Sequence, residues 1–219
     1  MLKIYFVRHG KTKWNLESKY QGASGDSPLL NESYIEMNEL AQYFYNVHFA
    51  HIYASPIKRA RITASRIRTR LNHRPPLTLL SRLKEFNLGQ MEGMKFSEVE
   101  SKFPNIFKNF RSHPDLYDGR SIGGENFSDV INRMTPAIKK IASIYQKDDN
   151  VMIVSHGAAL NAEINSLLNV PLAQLRKRGG LANTSTTILS TDDFGKHFQL
   201  VKWNDTSYLS KKPSATDVI

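Results

Sequence analysis

The chain has 219 residues, 40% of them hydrophobic, a formal net charge of +10 and no cysteine. That length suits one domain large enough for a single core, and the missing cysteine excludes a disulfide framework and thiolate metal sites. No apolar run approaches the roughly 20 residues that cross a bilayer, and Met1-Leu2-Lys3-Ile4-Tyr5 reads as strand rather than signal peptide, so a cytoplasmic protein with no membrane partner is expected.

The apolar run Leu2–Val7 predicts a buried strand, and Arg8-His9-Gly10 comes directly after it. A long loop through Gly22, Gly25 and Pro28 leads to a helix from about Asn31 to Val47, with Met37, Leu40, Ala41, Phe44 and Val47 facing inward and Asn31 as its cap. His51–Ala54 reads as a strand running into Ser55-Pro56, with Arg59 within one turn beyond them. Ile57, Ala60, Ala64, Ile67 and Leu71 then repeat at helical spacing, so most of the seven cations between Ile57 and Arg74 form a solvated helix face. No aromatic residue is interleaved with them to stack on bases, and nucleic acid is not expected as a partner.

After Pro75-Pro76 a further strand is placed over Leu77–Leu83, with Glu85 behind it. The aromatic-rich segment Phe86–Gly124 contains Pro104 and predicts short helices and loops that cap a site rather than a second domain. A helix from about Glu125 to Tyr145 carries Phe127, Val130, Met134, Ile138 and Ile141 as its apolar stripe; Pro136 removes a donor inside it and predicts a kink. Val151–Val154 is another buried strand, ending at His156-Gly157, and Ala158–Leu168 a buried helix. Thr186–Ser190 and Phe198–Lys202 read as short strands joined through the turn Asp193-Phe194-Gly195. The tail from about Leu209 has little to pack and is read as loose, leaving residues 1–208 as the expected domain.

This alternation predicts an α/β fold, a mainly parallel sheet flanked by helices on both faces. In such sheets the carboxyl ends of the strands line up on one edge, where ligands bind. Arg8, His9, Arg59 and His156, scattered in sequence, should therefore meet there. Cations and imidazoles with few acids nearby suit a phosphoryl group, whose charged oxygens take bidentate guanidinium donors. The seven histidines include no pair at the spacing of a helical zinc site and no acidic cluster accompanies them, so neither metal nor cofactor is expected.

Several motifs succeed one another in a recognisable order: Arg8-His9-Gly10, Thr12 with Trp14-Asn15, Tyr20-Gln21-Gly22, Ser55-Pro56 with Arg59-Ala60, Glu85 followed by Gly89 and Glu92-Gly93, Gly123-Gly124-Glu125, and Ser155-His156-Gly157. From Leu2 to about Tyr208 the chain resembles the histidine phosphatase superfamily, the phosphoglycerate mutase-like fold. The resemblance implies that His9 is a nucleophile forming a phosphohistidine that water hydrolyses. It implies that Arg8, Arg59 and His156 bind the phosphoryl oxygens, that Asn15, Gln21, Gly22 and Gly157 complete the pocket, and that Glu85 is the general acid. Glu92 and Glu125 are read as structural, pairing or capping.

The mutase branch of this superfamily usually carries Glu-Arg-His-Tyr-Gly around the acid and a later basic, proline-rich segment. Here the stretch is Glu85-Phe86-Asn87-Leu88-Gly89, and Gly123-Gly124-Glu125 looks like the phosphatase branch. The expectation is metal-independent hydrolysis of a small phosphorylated metabolite, with phosphoglycerate mutase as the alternative. Lys95, Arg111, Arg120 and Arg176–Arg178 either meet a second anionic group or merely solvate the rim. Oligomeric state is not legible, and a homodimer is left open.

Overall fold

The computed structural model describes residues 1–214 and residue 216. Strands β1 (Leu2–Arg8), β2 (Phe49–Ala54), β3 (Leu77–Leu79), β4 (Asn150–Ser155), β5 (Thr186–Thr191) and β6 (Gln199–Asp205) form one sheet in the order β3-β2-β4-β1-β5-β6. β1 to β4 run parallel, whereas β5 and β6 pair antiparallel on one side. The helices are α1 (Lys13–Leu16), α2 (Asn31–Tyr43), α3 (Lys58–Arg68), α4 (Phe96–Lys102), α5 (Pro104–Ser112), α6 (Phe127–Ile144) and α7 (Gly157–Leu167).

Successive strand residues point to opposite faces, and in this sheet both faces are apolar. Ile4, Phe6, Val151, Ile153 and Leu189 pack with α6, α7 and the aromatic residues of 86–127, while Tyr5, Val7, Ile52, Ala54, Met152 and Val154 pack with α2 and α3. Burial on both sides is why Leu2–Val7 and Val151–Val154 are continuous apolar runs rather than alternating ones. The expected α/β sheet with helices on both faces is the observed one.

Several boundaries differ from the sequence reading. Asn31 does not cap α2 but is its first helical residue, because Leu30 is held extended by its N–H bond to the Lys11 carbonyl and ends the loop one position earlier. That helix stops at Tyr43, and Phe44 and Val47 bury or half-bury themselves from the turn beyond it. The third strand ends at Leu79, since its partner β2 offers only Ile52–Ala54 for pairing, and a short 3₁₀ turn at Ser81–Leu83 carries the chain on to Glu85. β6 runs to Asp205, where it still pairs with Thr186. Pro136 lies inside α6 without ending it. In the segment expected to be loose, Ser210 N–H donates to Glu39 and the Lys11 ammonium to Ser214 and Thr216; Ala215 and residues 217–219 lie outside the described residues. No helix among the described residues is long and apolar enough to cross a membrane.

One buried acid departs from the apolar pattern. Glu163, on the fully enclosed side of α7, accepts the Thr135 hydroxyl at 2.9 Å and has no solvent exposure. Burial pushes its carboxyl up to about 8, against smaller opposing effects of Thr135, Lys139 and Arg133. The folded protein thus holds a proton there that the unfolded chain releases near the ordinary glutamate value of about 4.3. Stability from this group is fully present below that value and is lost as pH rises through about 8. Glu163→Gln keeps the acceptor oxygen for Thr135 and removes the ionisation. Thermal unfolding at pH 5 and pH 9 should show the variant gaining on the wild type as pH rises; parallel curves would mean that Glu163 does not titrate in this way.

Candidate active site

The register of the sheet sets the site. Arg8 at the end of β1 lies opposite Ser155 of β4, and the His9 N–H donates to the Ser155 carbonyl at 3.0 Å. Ala54 of β2 lies opposite Val154, so Ser55 emerges beside them and α3, next in the chain, brings Arg59 across the same edge. Arg8, Arg59, His9 and His156 are all 3% exposed or less. The four side chains expected to converge do so.

His9 Nδ1 is 2.8 Å from the Gly10 carbonyl. A carbonyl only accepts, so Nδ1 carries the proton and Nε2 keeps its lone pair. That lone pair accepts the Nε–H of Arg59 at 3.2 Å. The backbone around the ring is held on three sides: the His9 carbonyl accepts from Asn183 Nδ2, Gly10 N–H donates to Thr63 Oγ1, and Thr63 in turn donates to the Arg59 carbonyl. Burial first, then the charges of Arg59 and Arg8, lower the pKa of His9 well below the usual imidazole value.

The His156 ring centroid lies 5.2 Å from that of His9. Its Nε2 is 2.8 Å from Ser55 Oγ, which also accepts the Ile57 N–H. The hydroxyl has one proton and a second lone pair, so either atom can be the donor in this contact, and the other nitrogen of the ring is Nδ1. That buried nitrogen has no hydrogen-bond partner among the described residues. Burial, followed by Arg59 and His9, also lowers this pKa well below the usual value.

Arg59 is committed to the loop after α1 as well as to His9. Its Nη1 donates to the Gly25 carbonyl at 2.8 Å, and its Nη2 to the Gly22 and Gln21 carbonyls at 2.9 and 3.3 Å. The N–H groups of the same loop converge on Glu92, which accepts from Gly22, Ser24 and Gly25. A side chain on Gly22 would collide with Glu92 and with the Phe86 carbonyl, so the close approach of three segments requires glycine there. Gly157 is required for the same reason, since a Cβ would lie 2.8 Å from Arg8 Nε. Asn15 and Gln21 are buried beside this loop, where Asn15 closes a capping box with Thr12 and Gln21 Oε1 accepts the Thr12 hydroxyl at 2.7 Å.

Glu85 is 6% exposed and sits at the N-terminus of α7. Its Oε1 accepts the N–H groups of Phe86 and Ala159, and its Oε2 that of Ala158. A carboxylate offers about four acceptor positions, so one on Oε2 remains. Glu125 binds the Asn87 N–H and makes a bidentate pair with Arg133, which agrees with the structural role read for it.

Sequence reasoning marks Ser55 only inside a motif and passes over Asn183 and Thr63. A usable signal exists for Asn183, which lies shortly before β5; that strand runs antiparallel beside β1 and so starts at the edge where β1 ends. Thr63 is one helical turn beyond Arg59 and on the same face. No group of three or more His, Cys, Asp or Glu side chains among the described residues could hold a metal ion.

Both imidazoles should stay neutral in the ligand-free protein as pH falls through 6.5, because both pKa values are depressed. Nitrogen-15 histidine spectra at pH 6 are expected to show His9 as the Nδ1–H tautomer. A doubly protonated His9 ring at that pH would contradict this electrostatic picture.

The model of the histidine phosphatase superfamily (branch 1) matches residues 4–206. Phosphoglycerate mutase-like protein 4 of Arabidopsis thaliana is 30% identical over 210 residues, covering 95% of this chain and 87% of the relative. Among solved structures, YhfR of Bacillus stearothermophilus is 32% identical with a TM-score of 0.86, covering 95% of this chain and 99% of its own. Phosphoserine phosphatase of Entamoeba histolytica, in complex with 3-phosphoglyceric acid, is 29% identical with a TM-score of 0.81 and the same coverage, 95% and 99%. With its motifs gathered at one sheet edge and this likeness along almost its whole length, the chain belongs to the histidine phosphatase superfamily.

Proposed function

We propose that the protein hydrolyses phosphomonoesters of small metabolites through a phosphohistidine at His9, without a metal ion. The observation that carries this reading is the orientation of His9: Nδ1 is tied to Gly10, and Nε2 presents its lone pair toward Arg59 in a buried space. An incoming phosphoryl group would take the Nε–H of Arg59 onto one of its own oxygens and so free Nε2 for in-line attack. Arg8 and the Nδ1–H of His156 would donate to the remaining oxygens and hold the charge that shifts as bonds change. The phosphate dianion would also favour the protonated form of His156.

Glu85 would protonate the departing alkoxide from Oε2, whose one remaining acceptor position is the place for that proton. The same carboxyl would then accept a proton from the water that attacks phosphohistidine, returning His9 to its neutral state. Asn15, Gln21, Gly22 and Gly157 would shape the pocket. The similar Entamoeba histolytica phosphatase supports hydrolysis. The Arabidopsis relative named for phosphoglycerate mutase supports phosphoryl transfer as a second reading.

His9→Ala should lower turnover by about 1,000-fold or more, and wild-type protein quenched during turnover should carry acid-labile phosphate that the variant lacks. Unchanged activity in the variant would remove His9 from this role. Turnover should survive EDTA; loss restored by a divalent ion would overturn the metal-free mechanism.

Glu85→Gln should slow esters with poor alkoxide leaving groups by about 100- to 10,000-fold while slowing p-nitrophenyl phosphate far less. Equal slowing of both would exclude the acid role. With 3-phosphoglycerate as substrate, inorganic phosphate should form faster than 2-phosphoglycerate, and the reverse ratio would establish the mutase reading.

A further inference from the structure

The segment 181–185, which leads into β5, grips both Arg8 and His9. The Leu181 carbonyl accepts Arg8 Nη1 at 2.5 Å, and the Ser185 carbonyl accepts the Arg8 N–H at 3.2 Å. Between them the His9 carbonyl takes two donors from the same segment, Asn183 Nδ2 at 3.0 Å and the Thr184 N–H at 3.4 Å. Asn183 Nδ2 also lies 3.4 Å from Asn15 Oδ1. One arch of backbone meets the proposed nucleophile, a guanidinium and a pocket residue.

The arch is strained at its centre. Thr184 has a φ of +57°, and of the described non-glycine residues at positive φ it alone is β-branched and it alone is buried. Glycine, asparagine and aspartate reach that conformation at little cost, whereas a branched Cβ does not. Such a residue stays left-handed only where its surroundings over-determine it, and here they do. Its hydroxyl donates to Glu36 Oε2 of α2 at 2.9 Å, and its carbonyl accepts the Tyr208 hydroxyl at 2.6 Å. Having spent its one proton there, the Tyr208 hydroxyl accepts from Thr186 Oγ1 at 2.8 Å. The Tyr208 ring packs 5.1 Å from that of Tyr43 and 6.1 Å from that of Phe44. Both clamps come from elements remote in sequence, α2 and the segment after β6.

We propose that Thr184 is a positioning residue for phosphoryl transfer: held left-handed by Glu36 and Tyr208, it fixes the arch that aims the His9 ring and the Arg8 guanidinium. This rests on the reading of His9 as nucleophile and deepens it. The ring follows its backbone, because Nδ1 is tied to the neighbouring Gly10 carbonyl, so the two donors on the His9 carbonyl limit where Nε2 points. In-line attack depends on that direction. Relaxation of Thr184 toward the ordinary region would draw its N–H and the Asn183 amide off the His9 carbonyl together. A turn that served packing alone would need none of this, since glycine at 184 would close it without strain or clamps.

The test is steady-state hydrolysis of p-nitrophenyl phosphate and 3-phosphoglycerate by wild type, Thr184→Val, Thr184→Ser and Tyr208→Phe. Valine keeps the shape of threonine and loses the bond to Glu36, serine keeps that bond, and phenylalanine keeps the Tyr208 ring without its hydroxyl. Thr184→Val and Tyr208→Phe should each lower kcat by about 10- to 100-fold with KM within about threefold, the pattern of a misaimed nucleophile. Thr184→Ser should stay within about threefold of wild type in kcat. Because both clamps act on one residue, the double variant Thr184→Val with Tyr208→Phe should lose little more than the worse single variant. Losses that multiply would mean separate effects and would overturn the shared arch.

Nitrogen-15 histidine spectra supply a readout that needs no turnover and that a merely structural role would not move. In folded Thr184→Val and Tyr208→Phe protein the His9 ring resonances should shift, and in Thr184→Ser they should match wild type. A fall in kcat with the His9 resonances unmoved, or no fall in either variant, overturns the proposal. Tyr208→Phe decides alone should Thr184→Val not fold. If wild-type protein hydrolyses neither ester, the phosphatase reading fails instead, and the His9 resonances decide the positioning role by themselves.

Discussion

Two guanidinium groups and two imidazoles occupy one buried space at the edge of the sheet, and the protein is organised around keeping them there. Arg8 and Arg59 are each 1% exposed, close enough that both lower the pKa of both histidines. Asp26, 3.8 Å from Arg59 Nη1, offsets part of the charge gathered there. The sheet supplies the rigidity: Arg8, His9, Ser155 and His156 sit at the ends of adjacent parallel strands, in register over six residue pairs. Rigid elements hold such groups against their mutual repulsion better than loops do. The neutral state of both histidines results first from burial and then from this crowding, and that neutrality leaves one of them a lone pair to use.

Glu92 and Arg59 act on the loop 21–26 from opposite sides. The carboxylate gathers the loop's N–H groups and the guanidinium gathers its carbonyls. A loop that exposes backbone groups to a buried site must have them satisfied, and here two side chains of opposite charge do so without any secondary structure. This explains why an acid whose carboxylate is taken up by loop N–H groups belongs with the site residues. It also explains why glycine recurs at 22 and 25, where Glu92, joined at 25 by the ring of Trp14, leaves no room for a side chain.

The fold and the four converging side chains, two guanidinium groups and two imidazoles, are legible in the sequence because they rest on periodicity: apolar runs of strand length, each followed by a polar residue of definite chemistry. Asn31 is misplaced by that logic because the end of the preceding loop is fixed by a hydrogen bond to the Lys11 carbonyl, a contact that no local pattern encodes. The third strand reads as too long because its length depends on how much of β2 is available to pair. Asn183 and Thr63 escape notice because each serves the site through contacts to the backbone near His9 and Gly10, which composition does not mark. Arg176 reads only as one rim cation among several. Its enclosure by Phe110 and Phe127 depends on two segments, 104–112 and 127 onward, that approach it only in three dimensions.

Arg59 joins the nucleophile to the loop beside it. Its Nε holds the His9 lone pair while its Nη groups hold three loop carbonyls, so a guanidinium with five N–H donors has four of them engaged inside the protein. A phosphoryl oxygen that replaces His9 as acceptor leaves the loop contacts intact. One that competes for Nη must instead release Gly22 or Gly25. The first exchange is the less disruptive, because it trades one buried hydrogen bond for a charge-assisted one and disturbs no backbone. On the proposed reading, a phosphoryl group would therefore enter between His9 and Arg59, with its alcohol toward Glu85. On that path the fixed loop would be what orients the ester.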